Sequence, residues 1–295
     1  MASGARSAGY RSRVTLEMKF MQSSGLHRYT LAVAVFSLLS VTSGAVVTSY
    51  RLGQTPGAEQ LVHRAVAALA GFLTIGLAFW LSKVPDQPWF SKIGWSALAL
   101  MIAQAAIGMW APSAAPVHAI LAQIFFGLIV AAAIVTAPGW CSEVELIEDH
   151  MRPPMRIVAA ITLVLVLVQI VLGAAVRHKL LSALSHIGFA LLVALVALLL
   201  GMCVLHQAPE HRQLRPAAIT LLIVTGVQIF LGFTAFILTL MISTEAALPL
   251  VIVTAAHVTN GALTLGSTVL VALEVQRYMR APVAQRVGAR PTVAS

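Results

Sequence analysis

Residues 155–175 read MRIVAAITLVLVLVQIVLGAA, and Arg156 is the only charged residue among them. A helix needs about 20 mostly apolar residues to cross the hydrocarbon core of a bilayer. The run is continuous and does not alternate between apolar and polar residues, so it is typical of a helix and not of a barrel strand. The stretch therefore predicts one membrane-spanning helix.

Seven further apolar runs have similar lengths. They lie at 30–49, 61–82, 92–111, 116–137, 183–205, 215–240 and 249–273. Of the 295 residues, 59% are hydrophobic and 10% are charged, whereas a soluble domain carries roughly 25% charged residues. The chain therefore cannot form an ordinary water-facing surface. These features predict an all-α integral membrane protein with eight transmembrane helices.

The basic residues are unevenly divided between the two sides of the predicted spans. With eight spans both termini lie on one side, and that side receives 15 of the 19 Lys and Arg residues. The opposite, outer side receives Arg51, Arg64, Arg177 and Lys179. Cytoplasmic segments are enriched in Lys and Arg, so both termini are predicted to be cytoplasmic. The net charge of +9 then reflects orientation and contact with membrane lipid, and we expect no nucleic-acid partner.

The segments outside the spans follow from this orientation. Residues 1–29 are predicted to be a cytoplasmic N-terminal segment, 138–154 a cytoplasmic linker and 278–295 a cytoplasmic tail. The first span has no convincing small-residue cleavage site, so we expect no removable signal peptide. The inward N-terminus and the lack of a recognisable transit peptide indicate a multi-pass protein of a prokaryotic plasma membrane.

A short motif recurs in the odd-numbered spans, with its glycine toward the outer end. Three spans carry Gln-x-x-x-Gly and the first carries Ser-x-x-x-Gly: Ser40/Gly44, Gln104/Gly108, Gln169/Gly173 and Gln228/Gly232. Residues four apart share one helix face. The motif is typical of close helix packing, and a direct role of the glutamines toward a ligand is the alternative. The recurrence predicts two pseudo-repeated four-helix bundles, at 30–137 and 155–277.

Four histidines occupy matching places in the even-numbered spans. His63, His118, His186 and His257 each fall within the first two turns of a span that runs inward, so all four are predicted near the outer face. A single membrane histidine is more often a hydrogen-bonded core residue. Four at one depth favour a functional site, because two histidines on facing helices can hold a haem by both axial faces. Zinc is less favoured than haem, because a zinc ion would need three or four close His, Cys, Asp or Glu ligands.

Two arginines lie near the same predicted depth. Arg64 follows His63 directly, and Arg177 precedes His186 by nine residues. Haem propionates are stabilised by cationic partners at the water interface, so both arginines are candidate cofactor-binding residues. Snorkelling of long basic side chains to the interface is the alternative.

The motifs around these residues are found together in one known family. They are LHR at 26–28, GAVVTS at 44–49, HR at 63–64, VHA at 117–119, AQIFF at 122–126, QIVLGAAVRH at 169–178, SHI at 185–187 and AHVTNGA at 256–262. Together with the recurring motif and the four histidines, they make the chain resemble the haem A synthase family of cytochrome oxidase assembly proteins.

The resemblance implies a reaction and a division of labour between the halves. Members of the family oxidise a methyl group of haem O to the formyl group of haem A. By analogy, His186 and His257 would bind the iron of a resident haem b, while His63 and His118 would hold the substrate haem O. An acid before the second-span histidine is implicated, which makes Glu59 a candidate catalytic residue. Haem O synthase and oxidase assembly proteins are the implied partners.

Two departures from the family pattern keep other functions open. Gln60 stands three residues before His63, where the family's acid is expected, and Glu59 stands four before it. The first outer loop, 50–57, lacks the glycine-rich stretch and cysteine of the family. The alternatives are a haem-binding oxidase-assembly factor without synthase activity and a di-haem electron-transfer protein of the cytochrome b type.

Overall fold

The computed structural model describes residues 3–50, 57–85, 87–244 and 246–280, and for 3–23 and Pro112 it describes the backbone alone. Within these ranges it confirms an all-α chain with eight helices long and apolar enough to cross a membrane. The helices are α1 Ser3–Tyr50, α2 Ala58–Leu81, α3 Pro88–Trp110, α4 Ala115–Val135, α5 Met155–Arg177, α6 Ala183–Gln207, α7 Leu214–Met241 and α8 Leu248–Tyr278. Most of the first outer loop (51–56) and the end of the tail (281–295) lie outside the described residues.

Local sequence explains several helix starts. Helices α3, α4 and α8 each carry a proline at one of their first two positions, where the missing N–H has no intrahelical partner to lose. Helix α1 begins at Ser3, well before the apolar run predicted from residue 30. Its candidate membrane span, Ser24–Tyr50, is the more apolar part of that longer helix.

Each half of the chain has its own apolar core. The N-terminal core includes Val33, Leu77 and Ile129, and the C-terminal core includes Leu200, Leu221 and Val271. A smaller cluster of Val41, Phe126 and Ala262 joins α1, α4 and α8 across the two halves. The two halves therefore pack through these three helices, and their pseudo-repeat relation stays a prediction.

The linker between the halves is attached to the helix ends around it. A two-residue strand, β1 (Ile147–Glu148), pairs in parallel with β2 (Met279–Arg280), directly after α8. Asp149 is buried and accepts hydrogen bonds from the backbone N–H groups of Met151 and Met155, at 3.0 and 2.6 Å. The carboxylate thus satisfies a free N–H group at the start of α5.

Replacing Asp149 by alanine should lower the free energy of unfolding. The change leaves the buried N–H of Met155 without its partner, which costs about 1–3 kcal/mol. Thermal unfolding in detergent measures the effect, with Glu148→Ala as the control because Glu148, the residue before Asp149, is exposed. Equal midpoints for the two variants would contradict this role of Asp149.

Candidate haem-binding site

The four histidines form two pairs at one end of the bundle, where α1, α3, α5 and α7 end and α2, α4, α6 and α8 begin. We call this the histidine end. The ring centres of His63 and His118 are 6.4 Å apart, with ring planes at 89°. Those of His186 and His257 are 6.2 Å apart, also at 89°. All four side chains are half-buried, so each half of the chain carries one pair with the same geometry.

Each imidazole packs against the glycine of the recurring motif on the preceding helix. A Cβ on Gly44 would lie 3.1 Å from Cε1 of His63, and one on Gly108 would lie 3.0 Å from Cε1 of His118. For Gly173 and His186 the distance is 2.9 Å, and for Gly232 and His257 it is 3.0 Å. Distances of 3.0–3.4 Å are tighter than nine in ten real Cβ contacts, and distances below 3.0 Å are essentially never seen. The glycines therefore make room for the rings.

In the N-terminal pair, a hydrogen bond holds each Nδ1 atom. Nδ1 of His118 donates to the Gln104 carbonyl at 2.7 Å, and Nδ1 of His63 lies 3.0 Å from the hydroxyl of Ser43. A carbonyl can only accept, so Nδ1 of His118 carries the proton and its Nε2 keeps a lone pair. This is the arrangement in which a histidine binds a metal through Nε2.

In the C-terminal pair, glutamine amides approach the rings. Nε2 of Gln169 lies 3.4 Å from Nε2 of His186 and donates to the His186 carbonyl at 3.0 Å. Nε2 of Gln228 lies 3.4 Å from Nε2 of His257, and its Oε1 accepts from Asn260 at 2.9 Å. The buried Nδ1 atoms of both histidines have no hydrogen-bond partner among the described residues.

The recurring glutamines therefore differ from one another. The side chains of Gln169 and Gln228 approach histidines, whereas the amide of Gln104 donates to the sulfur of Met101 at 3.0 Å and only its backbone carbonyl contacts His118. The packing interpretation of the motif accounts for its glycines, and side-chain contact with a candidate ligand residue applies to two of its three glutamines.

The other predicted site residues lie at the same end but not all beside the rings. Glu59 is in the first turn of α2, one turn before His63. Arg64 is exposed and lines a surface pocket with Gln60 and Leu61. Arg177, the last residue of α5, donates to the Ala45 carbonyl at 2.7 Å and to the Ser49 hydroxyl at 2.6 Å. It thus reaches α1, in the other half of the chain.

A haem would need fewer protein ligands at these pairs than a bare metal ion would. No group of three or more His, Cys, Asp and Glu residues that could hold a metal occurs in the part of the chain that the structure describes. A porphyrin supplies four of the iron ligands itself and needs only axial ligands from the protein. Two imidazoles per site, some with unpartnered buried nitrogen atoms, suit that requirement.

Comparison with known proteins gives a match to a protein-family model. Residues 59–185 match the COX15-CtaA family, described as cytochrome oxidase assembly protein. The match supports membership of this chain in the COX15-CtaA family. No curated protein and no solved structure matches the chain. Together with the eight apolar helices, the match indicates a multi-pass membrane protein that is similar to cytochrome oxidase assembly proteins.

The part that matches the COX15-CtaA family begins at Glu59 and ends one residue before His186. It contains His63, His118 and Arg177, while His257 lies beyond it. Ser43 and Asn260 were not among the predicted site residues, although Ser43 contacts His63 and Asn260 contacts Gln228. Asn260 follows His257 by three residues, and residues at that spacing share a helix face, so the spacing could have indicated it.

Proposed function

We propose that this COX15-CtaA family member is a haem A synthase-like oxidoreductase that holds one haem in each half. The separation of the rings within each pair carries the proposal. An imidazole nitrogen bonds a metal at about 2.0–2.1 Å, and the ring centre lies about 1.1 Å behind that nitrogen. Two imidazoles that held one iron between them would therefore have centres about 6.3 Å apart, close to the observed 6.2 and 6.4 Å.

The residues have distinct roles in this proposal. His186 and His257 bind the iron of a resident haem b, and His63 and His118 hold the substrate haem O. When bound, the resident haem supplies one-electron redox chemistry. Arg64 and Arg177 offer cations to the propionates. The Glu59 carboxylate, one turn from His63, would accept a proton from the substrate held by that histidine pair.

The orientation belongs to the same proposal. We place both termini in the cytoplasm of a prokaryotic cell and the histidine end at the outer face of its plasma membrane. The basic residues support this orientation, because 15 of 19 lie on the side of the termini. Haem O synthase and oxidase assembly proteins are the expected partners.

The proposal is tested by incubating the purified protein with haem O in the presence of dioxygen and an electron-transfer partner. Extraction and identification of the pigments should show haem A. Bound haem without haem A would instead support an assembly factor that lacks synthase activity, which the glutamine at position 60 favours. Fast reduction of two stable haems by quinol, with no new haem product, would support the electron-transfer function. The similar geometry of the two histidine pairs favours that alternative.

Replacing Glu59 by glutamine should slow haem A formation by at least about tenfold, since general acid–base groups contribute roughly 10²–10⁴-fold. The haem content should stay unchanged, because Glu59 is not among the proposed iron ligands. Gln60→Leu is the matched control on the same turn and should keep its activity. An unchanged rate in Glu59→Gln would show that the carboxylate has no catalytic role.

A further inference from the structure

Arg177 joins the two helices that support one histidine of each pair. It lies four residues after Gly173, against which His186 packs. Its guanidinium donates to the carbonyl of Ala45, which directly follows Gly44, the glycine against which His63 packs. One side chain of the C-terminal half thus holds the part of α1 that supports the N-terminal pair.

Helix α8 is tied to the same place. The hydroxyl of Ser49, which accepts from Arg177 at 2.6 Å, lies 3.4 Å from the hydroxyl of Thr254. Thr254 precedes His257 by three residues. One and a half turns further along α8, Thr259 and Thr42 are joined at 2.9 Å between their hydroxyl oxygens. Polar contacts therefore connect α1, α5 and α8 at the histidine end, in addition to the apolar cluster that joins the halves.

The hydrogen bonds of Arg177 to α1 come from a charged donor. Such bonds are worth about twice as much as neutral ones, and Arg177 is half-buried. The two short bonds to Ala45 and Ser49 therefore fix both the guanidinium and the end of α1.

We infer that Arg177 is a positioning residue for both histidine pairs, holding them as one two-site unit and placing its charge where it acts on the haems of both. The inference rests on the proposed haem-binding function. If Arg177 acted only as the propionate partner described above, or only snorkelled to the interface, its influence would be limited to the His186/His257 pair.

The charge gives a measurable consequence. A ferrous haem carries one unit of negative charge more than a ferric haem, so a nearby cation favours the reduced form. Removing the cation should lower the reduction potential of each haem that it influences. An effect at the His63/His118 pair, which belongs to the other half of the chain, is the result that a purely local role does not produce.

The experiment uses two full-length backgrounds that each keep one pair: His186→Ala, which keeps His63/His118, and His63→Ala, which keeps His186/His257. Arg177→Gln is introduced into each, and the haem b bound after loading is titrated with a chemical reductant. At a fixed potential, the ratio of reduced to oxidised haem should fall by about threefold or more in both backgrounds. Arg177→Lys, which keeps the charge, should restore most of the ratio.

Two further variants serve as controls. Lys179→Gln removes an exposed cation two residues away and should change either pair less than Arg177→Gln does. Ser49→Ala removes one partner of Arg177 while keeping its charge, so it should produce a smaller shift at His63/His118. If Arg177→Gln fails to fold, Ser49→Ala replaces it as the test. An unchanged reduction potential of the His63/His118 haem in Ser49→Ala would then overturn the inference.

The outcomes separate the inference from the proposed function. A shift confined to the His186/His257 haem, or equal shifts with Lys179→Gln, would overturn the positioning role of Arg177 and leave haem binding intact. Absence of haem from both single-pair backgrounds in a folded protein would overturn the proposed function, and the inference with it.

Discussion

Replacing His186 by alanine is expected to abolish the low-spin spectrum of the haem b that the protein retains on purification, before any haem is added. The variant removes one of two proposed axial ligands, and it also leaves His257 opposite a side chain that cannot bind iron. Changes to residues that merely support a ligand already cost about 10–100-fold in metal affinity, so loss of the ligand itself should cost more. His257→Ala should give the same result. The absorption spectrum of the reduced protein and its haem content measure the effect.

A folding defect must be distinguished from loss of a ligand. The structure offers a control in His150→Ala, since His150 is largely exposed in the linker, outside the eight helices. Helix content and elution volume should match the parent protein in all three variants. If both His186→Ala and His257→Ala keep an unaltered low-spin spectrum, these residues are not the ligands of the resident haem.

Much of the fold could be predicted from single-residue properties. A run such as 155–175 is too apolar and too long for anything but a membrane helix, and α5 was found at Met155–Arg177. The matching depth of the four histidines followed from the same argument, because each stands near the start of an even-numbered helix. These features depend on length and periodicity, which a sequence displays directly.

Contacts between distant segments could not be predicted in this way. Gln104 and Gln169 occupy the same place in the recurring motif, but Gln104 turns to Met101 and Gln169 turns to His186. The choice depends on which neighbours each helix meets. Arg177 was expected beside the haem of its own half, and its hydrogen bonds to α1 depend on how the two halves pack. The pairing of β1 with β2 likewise joins segments more than 130 residues apart.

The glycines of the recurring motif give the second prediction of large effect. Gly173→Ala should weaken haem binding at the His186/His257 pair by about tenfold or more. Its methyl group would lie 2.9 Å from Cε1 of His186, so the ring must move away from its position. Overpacking of this kind costs typically about 1–3 kcal/mol, and Gln169 on the same helix restricts where the ring can go.

Gly188→Ala is the matched control, because a Cβ at Gly188 meets nothing within 4 Å. Both substitutions sit inside apolar helices, and alanine favours a helix over glycine by about 1 kcal/mol. Any difference in haem affinity between the two variants therefore reports the contact with the ring and not the change in helix propensity. Haem titration of each variant measures it.

The same comparison can be made on the partner ring. A Cβ at Gly232 would lie 3.0 Å from Cε1 of His257, while Gly226 on the same helix has nothing within 4 Å. Gly232→Ala should weaken haem binding and Gly226→Ala should leave it unchanged. Equal affinities in both matched comparisons would mean that the rings have room to move, and that the recurring glycines serve helix packing without setting the position of the ligands. A loss of haem affinity confined to Gly173→Ala and Gly232→Ala would show that the glycines of the motif set the positions of the histidines that pack against them.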